Sequence, residues 1–484
     1  MIAGVIHLTS KTIYGFTSRM TPIYAFQPFD ESIKPFLVGC SEKDKSRNLL
    51  AVCKCVSEPG TKIRKGFIEQ IIGKCGILTK EEEAVLWRYA PVRWKKNECS
   101  TILTPSFENH PLLDVPTINI DPPGCRDIDD CISIWNEDGK TFVAITIADV
   151  HEWVASNIGL IEKAPLIGQT FYNDGKVVVP MLPPILSENY CSLIPGERRL
   201  GLTLQFEWDG KIMQNLHLKQ TTIINKKSYT YDDVKQSNDF PVLTLKEVAS
   251  WLAGHETDDP HEWVEQMMLF YNREAAQLLE KYEKGIWRGH SEPDYQKLSK
   301  FEKIGVGIEF LAQKAAVYTK QPSKHWGIGD VSYCHASSPI RRWADVVNQS
   351  ILKKRDMLPF DIDHLNTMSK NAKQYERDMF FMQTLAFATH TGLIATAVDT
   401  NEKRTRLWVQ EWKRFITIPN VNIEEGKTVN VEYFLEYNHI NWKKRLVFRV
   451  EDIDYLEQLL PVQSVVEYYE EGLESLSRSP QLPK

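Results

Sequence analysis

No uninterrupted apolar run in this chain approaches the roughly 20 residues of a membrane-spanning helix, which speaks against a membrane protein. Paired CxxC spacing is missing too. The cysteines (Cys40, Cys53, Cys55, Cys75, Cys99, Cys125, Cys131, Cys191 and Cys334) are odd in number and scattered, which argues against a zinc ribbon or a disulfide framework and for a reducing, cytoplasmic compartment. No Arg- and Ser-rich leader opens the chain; no acidic residue precedes Asp30, yet GVIHL and KTIYGF read as strands and not as a targeting helix. Internal repeats and low-complexity tracts are absent. So is net positive charge: the balance of −6 counts at first against a nucleic-acid partner. Residues 451–484, however, hold eight acidic side chains against two basic ones and account for that whole excess. The remaining body is near neutral and can hold a local basic channel.

What is present is an ordinary globular composition, 42% hydrophobic and 25% charged, over 484 residues, long enough for two to four domains. Residues 1–62 alternate short apolar segments with polar or Gly/Pro breaks, as a small antiparallel barrel does. Residues 63–105 read as a helical linker, with Thr79 and Glu82 as a capping box. Residues 106–390 are strand-rich first, with a hairpin turn at 136–139, and helical from about 258, where Asp259-Pro260 starts a helix that Gly285 ends. Residues 391–462 form a second small barrel, and 463–484 an acidic tail. The expected class is α+β.

The densest chemistry lies in IDPPGCRDIDD, which sets Asp121, Asp127, Asp129 and Asp130 within ten positions. Carboxylates so close repel one another unless they spread into solvent or gather around cations. In a straight strand Asp127 and Asp129 share a face while Asp130 points away, so convergence requires a bend, which the Pro122-Pro123-Gly124 turn provides. An all-oxygen set suits magnesium, with manganese as a substitute, and two such ions are a known device for phosphodiester hydrolysis. A solvated acidic turn is the competing reading. A calcium EF-hand is a poor fit, because a loop starting at Asp127 would place Ile132 where the turn glycine belongs. A hairpin centred near residue 138 sets Asp127 across from Asp149, and Asp149 and His151 read as structural neighbours of the site, not ligands.

Further on, YCHASSPIRRWADVVNQSIL reads as a helix entrance with Ser338 near the N-cap and Pro339 in the first turn, a place that favours an anion. Arg341 adds a bidentate group for a phosphate. The plainer alternative is that Arg341 or Arg342 pairs with Asp345 along the helix. Tyr172 and Tyr231, on strand or loop segments, are candidate platforms for unpaired bases, although most aromatics in any chain are core. Residues 391–450 interleave Arg404, Arg406, Lys413, Arg414, Lys443, Lys444, Arg445 and Arg449 with Trp408, Trp412 and Trp442. That mixture fits a single-strand-binding barrel or a solvated basic face.

Taken together, IDPPGCRDIDD, TIADVHEWV, VVVPMLPPILSENYCSLIPGERRLGLTLQFE, SYTYDDV, EQMMLFYNREAA, WRGHSEPD and YCHASSPIRRWADVV resemble the RNase II/RNB family of 3′-to-5′ exoribonucleases. The resemblance implies an RNB-type catalytic domain flanked by small all-β OB-type barrels, acting on single-stranded RNA by Mg²⁺-assisted hydrolysis that releases nucleoside 5′-monophosphates. It also implies metal ligation by Asp121, Asp127, Asp129 and Asp130, with Asp129 the most important for catalysis, and Arg341 on the scissile phosphate. Tyr172 and Tyr231 match tyrosines beside the last nucleotides, and Glu265 matches the first of two RNA-contacting glutamates, the second being replaced by Gln266. Cys131, HASSPIRRW and the Asn173-Asp174-Gly175 turn also depart from the family pattern, and one barrel precedes the linker where the family often has two. The expectation is a monomeric catalytic unit; the alternatives are a catalytically weak RNB-like RNA-binding protein and a nuclease for another substrate.

Overall fold

Alternating apolar residues close the first five strands on themselves. Strands β1 (Ile2–Ile6), β2 (Ile23–Pro28), β3 (Phe36–Gly39), β4 (Leu49–Cys55) and β5 (Lys65–Lys74) form a closed barrel in the order β1-β2-β3-β5-β4. Its interior is filled by Ile6, Tyr24, Phe26, Phe36, Val38 and Leu49. The fifth strand falls in the stretch that reads from sequence as linker. Most of its residues are exposed or half-buried, so charged and polar groups at Lys65, Glu69 and Gln70 hide the period-two pattern. Helix α1 (Leu78–Tyr89) begins after Ile77, without the expected Thr79–Glu82 capping box. Glu81, not Glu82, reaches back, accepting a hydrogen bond from the Gly76 amide at 2.9 Å.

The structure is a computed structural model describing residues 1–450 except 11, 58–60, 62, 96–97, 100, 109, 306, 308–311, 387–391, 420–422, 437–438 and 440–441. The acidic tail and the end of the expected second barrel lie outside the described residues. The chain divides into two units, one of Met1–Pro91, Pro293–Gln313 and Lys373–Lys484, the other of Val92–Glu292 and Lys314–Ala372.

The second unit is built on a seven-stranded sheet. Its members are β6 (Leu112–Leu113), β7 (Thr117–Ile120), β8 (Asp130–Glu137) and β9 (Lys140–Ala148), followed, after α2 (Val150–Ala155), α3 (Ile158–Ile167) and the hairpin β10 (Phe171–Asn173)–β11 (Lys176–Val179), by β12 (Arg198–Trp208), β13 (Met213–Ile224) and β14 (Lys227–Tyr229). The order is β14-β7-β8-β9-β12-β13-β6. The β8–β9 turn uses Asp138 and Gly139, both at positive φ, the backbone that a two-residue hairpin with right-handed twist requires. Helices α4 (Tyr231–Lys235), α5 (Phe240–Ala253) and α6 (Pro260–Lys281) follow, and Asp259 caps α6 as expected, accepting from the His261 amide at 3.0 Å. That helix stops at Lys281, before Gly285.

After β15 (Trp287–Gly289) come α7 (Tyr295–Ile304), three short strands β16 (Val317–Thr319), β17 (Lys324–His325) and β18 (Val331–Ser332), then α8 (Trp343–Leu352) and α9 (Ile362–Thr384). Every residue of α8 is buried. Its polar members are spent on anchoring: Asn348 holds the backbone of Ile286 and His335, and Gln349 binds the Ala148 carbonyl and the His151 amide. Each such bond contributes only about 1 kcal/mol net, but losing one inside the core costs more than it contributed.

Strands β19 (Leu393–Thr400), β20 (Arg404–Val409), β21 (Arg414–Pro419), β22 (Thr428–Leu435) and β23 (Leu446–Val450) form an antiparallel sheet in the order β21-β20-β19-β22-β23. This is the first barrel's order opened between its third and fifth strands. Trp408 and Trp442 are buried, and Trp412 packs among Phe380, Phe381, Tyr433 and Phe448. The tryptophans are therefore core, not base platforms. Arg445 and Lys443 are likewise engaged, with Glu81 and Asp378. The class is α+β, with small all-β domains before and after the mixed unit in sequence. No helix among the described residues is long and apolar enough to cross a membrane.

Candidate metal and phosphate site

The bend anticipated at Pro122-Pro123-Gly124 is present. Gly124 takes φ +80°, the Cys125 amide bonds the Pro122 carbonyl at 3.1 Å, and the Asp121 amide is tied to Tyr229 at the end of β14. Ser192 fixes the far arm, accepting from the Ile128 amide at 3.0 Å and donating to the Arg126 carbonyl at 2.7 Å. In the β8–β9 ladder Asp130 faces Ile147 and the Ala148 amide bonds the Asp129 carbonyl. The pairing ends there, so the expected Asp127–Asp149 apposition does not form.

The carboxylates are held in different ways. Asp121 accepts from Asn119 Nδ2 at 2.8 Å. Asp127 accepts from Tyr172 Oη at 3.1 Å and Cys125 Sγ at 3.7 Å. Asp129, 7% exposed, accepts from the Ile340 amide at 2.9 Å and lies 3.4 Å from Arg341 Nε. Asp130 is half-buried and has no hydrogen bond to its carboxylate among the described residues. Burial pushes Asp129 up to about 7 despite the pull of Arg341 and the Ile340 amide. Burial also raises Asp121, and it raises Asp130 strongly, where the charges of Asp121 and Asp129 add to the effect.

Among the described residues, no three of these carboxylates bring oxygens within 4.8 Å of one another. Among the described residues, the trio that does is His110, Asp149 and Glu152. A cation is already built into that second cluster. Lys353, fully buried, places Nζ 2.7 Å from Asp149 and 2.5 Å from Glu152. Asp149 and His151 thus support structure, as expected. The cluster escaped sequence reading because its members are spread from residue 110 to 353; a lysine ending an otherwise buried helix was the available signal.

The two neighbouring arginines divide their work. Arg342 makes the bidentate pair with Asp345, at 3.0 and 2.8 Å, whereas Arg341 turns to Asp129 and Ser338 Oγ. The helix starts later than expected. Arg342 is the N-cap of α8, and Ser338–Arg341 form a turn whose Ser338 and Ile340 amides are taken by Asp345 and Asp129. A helix-terminus anion cradle at Ser338 is therefore not available, while the guanidinium of Arg341 stays 44% exposed beside Asp129.

Tyr172 lies in β10, half-buried, with its hydroxyl on Asp127, and burial raises its phenol strongly. Tyr231 opens the short helix α4, where sequence suggested strand or loop, and stacks on His261 at 3.6 Å. Burial, and then the charges of Asp121 and Asp130, push its phenol up to about 12. Glu265 is exposed on α6 at a separate recess of about 320 Å³ lined also by Gln266 and Arg273. It is not brought to the carboxylates. Asn119 and Cys125 were missed by sequence reading, and only their spacing to the acidic motif marked them, whereas the pairing of Asp345 with Arg342 is the plainer alternative that the sequence offered.

The sequence model described as "RNB domain" matches residues 110–240 and 238–355. Ribonuclease R of Helicobacter pylori is 26% identical, over 72% of this chain and 68% of the relative. Among solved structures, Mycoplasma genitalium RNase R in complex with double-stranded RNA gives a TM-score of 0.72 at 16% identity, covering 93% of this chain and 95% of that one. Yeast Ssd1, described as a pseudonuclease, gives 0.69 at 14%, covering 90% and 67%. At such identities the structural likenesses establish the fold alone, and that fold serves both a nuclease and a pseudonuclease.

Proposed function

Because this chain belongs to the RNB-domain family, with matches spanning residues 110–355, we propose that it is a hydrolytic 3′-to-5′ exoribonuclease acting on single-stranded RNA and releasing nucleoside 5′-monophosphates. The observation that carries the reading is Arg341 beside buried Asp129, a half-exposed cation set against an acidic site from 212 positions earlier in the chain. The donor set fits hard divalent cations. It is all carboxylate oxygen, buried enough that Asp129 and Asp130 resist ionisation without added positive charge. Asp121, Asp127, Asp129 and Asp130 would hold magnesium, or manganese in its place. Bound there, the ions would supply charge neutralisation at the phosphodiester and acidify an attacking water.

The chain's own groups do the rest. Arg341 offers a planar fork to the phosphoryl oxygens, where charge develops in the transition state. Asp345 keeps Arg342 occupied and thereby leaves Arg341 to the substrate. Tyr172 and Tyr231 are assigned to the terminal bases, and Glu265 to RNA farther from the scissile bond. Catalytic roles fall to Asp129 and Arg341.

The test is digestion of matched end-labelled single-stranded RNA and DNA, with and without EDTA, with product sizing. Metal-dependent release of mononucleotides from the RNA 3′ end is expected. Internal fragments would overturn the polarity, and RNA retained uncut under all conditions would identify the alternative, an RNB-like protein that captures RNA without cleaving it.

A further inference from the structure

Asp127 differs from Asp129 in what aims it. Its backbone is fixed on both sides by Ser192, but its carboxylate meets no cation among the described residues and is held by two neutral donors, Tyr172 Oη and Cys125 Sγ. The thiol contact, at 3.7 Å, is the weaker of the two. The orientation of Asp127 is therefore set chiefly by the Tyr172 hydroxyl at 3.1 Å.

Tyr172 is itself tied to the turn that carries Arg341. The Thr170 amide bonds the Arg341 carbonyl at 2.9 Å, Gln169 and Arg342 form a bridge, and the Trp343 amide bonds the Gly168 carbonyl at 2.9 Å. The backbone that delivers the tyrosine is thus hydrogen-bonded to the backbone that delivers the arginine. Its ring is half-buried, so one part remains accessible while the hydroxyl reaches inward.

From this arrangement we infer that Tyr172 is a positioning residue for the metal centre, its hydroxyl aiming Asp127 at the divalent cation while its ring is free to take a base. The inference rests on the metal-dependent reading above. It makes two separable demands on one side chain: the ring serves the RNA end, and the oxygen serves cation affinity. Hydrogen-bond partners of metal ligands set ligand orientation and basicity, and their loss typically weakens metal binding about 10- to 100-fold.

Mn²⁺ binding to the whole protein without RNA, followed by electron paramagnetic resonance, separates these demands. Tyr172→Phe keeps the ring and the packing and should weaken Mn²⁺ binding about tenfold. Its cleavage should return to the wild-type rate at saturating Mn²⁺, with unchanged product lengths. Tyr172→Leu should weaken Mn²⁺ binding equally, yet excess metal should not restore its product pattern. Asp127→Asn is the benchmark. If it weakens Mn²⁺ binding while Tyr172→Phe binds as wild type does, the positioning role is overturned and the metal reading survives. If Asp127→Asn also binds as wild type does, both fall together.

Discussion

Two buried acidic clusters lie in the same structural unit, and they differ in how their charge is answered. Around Asp149 and Glu152 the answer is internal. Burial would raise Glu152, but the charge and hydrogen bond of Lys353 overrule it and hold the carboxyl below its ordinary value. Burial and the same lysine push His151 down to about 4, so the imidazole adds no positive charge at neutral pH. Around Asp129 the answer is partial: a half-exposed arginine at 3.4 Å leaves the carboxyl near 7. The tighter trio of potential ligand atoms belongs to the cluster that needs no ion. Proximity of carboxylates is thus a poor guide to a metal site, and an unbalanced charge is a better one.

The sharpest way to test this contrast is to remove one member from each side. Asp129→Asn should lower turnover about 100-fold or more in single-turnover cleavage while RNA affinity by filter binding stays near wild type. Wild-type rates would sink the assignment. Lys353→Met should instead act on stability, costing about 3–5 kcal/mol in urea unfolding, because it strands the buried Asp149 and half-buried Glu152 carboxylates. An unchanged midpoint would mean that the second cluster is not lysine-balanced.

A smaller effect concerns pH. The folded-state value of Asp129, about 7, lies above the unfolded value near 3.8, so its contribution to stability is full below about pH 4 and is lost progressively until pH has risen through 7. In EDTA the melting temperature should therefore fall between pH 5 and pH 7 and level off above, added Mg²⁺ or Mn²⁺ should restore it most at the higher pH, and Asp129→Asn should flatten the slope. A flat wild-type profile would contradict the unbalanced charge.

Much of this was readable beforehand, where one residue's pattern decides its own fate. The strands of the last sheet, the Asp138-Gly139 hairpin and the Asp259 cap follow from local alternation and turn chemistry. What was not readable depends on distant partners. Nothing near Asp129 announces that the Ile340 amide will bind it, and nothing in Arg341-Arg342 says which will choose Asp345. The strand Lys65–Lys74 was hidden because so much of it faces solvent, and the tryptophans of the last sheet misled because composition cannot distinguish core from surface.

The pair formed by Glu81 and Arg445, bidentate at 2.6 and 2.8 Å and almost fully buried, joins helix α1 to the last sheet across 364 positions. Tyr89 adds a buried bond to Asp378 at 2.6 Å from the same helix. During translation at about 5–20 residues per second, Glu81 emerges roughly 20–70 s before its guanidinium partner exists. For that interval the nascent barrel presents a hydrated acid where the finished molecule has a sealed seam, so the unit that holds the chain's first residues is among the last to be completed.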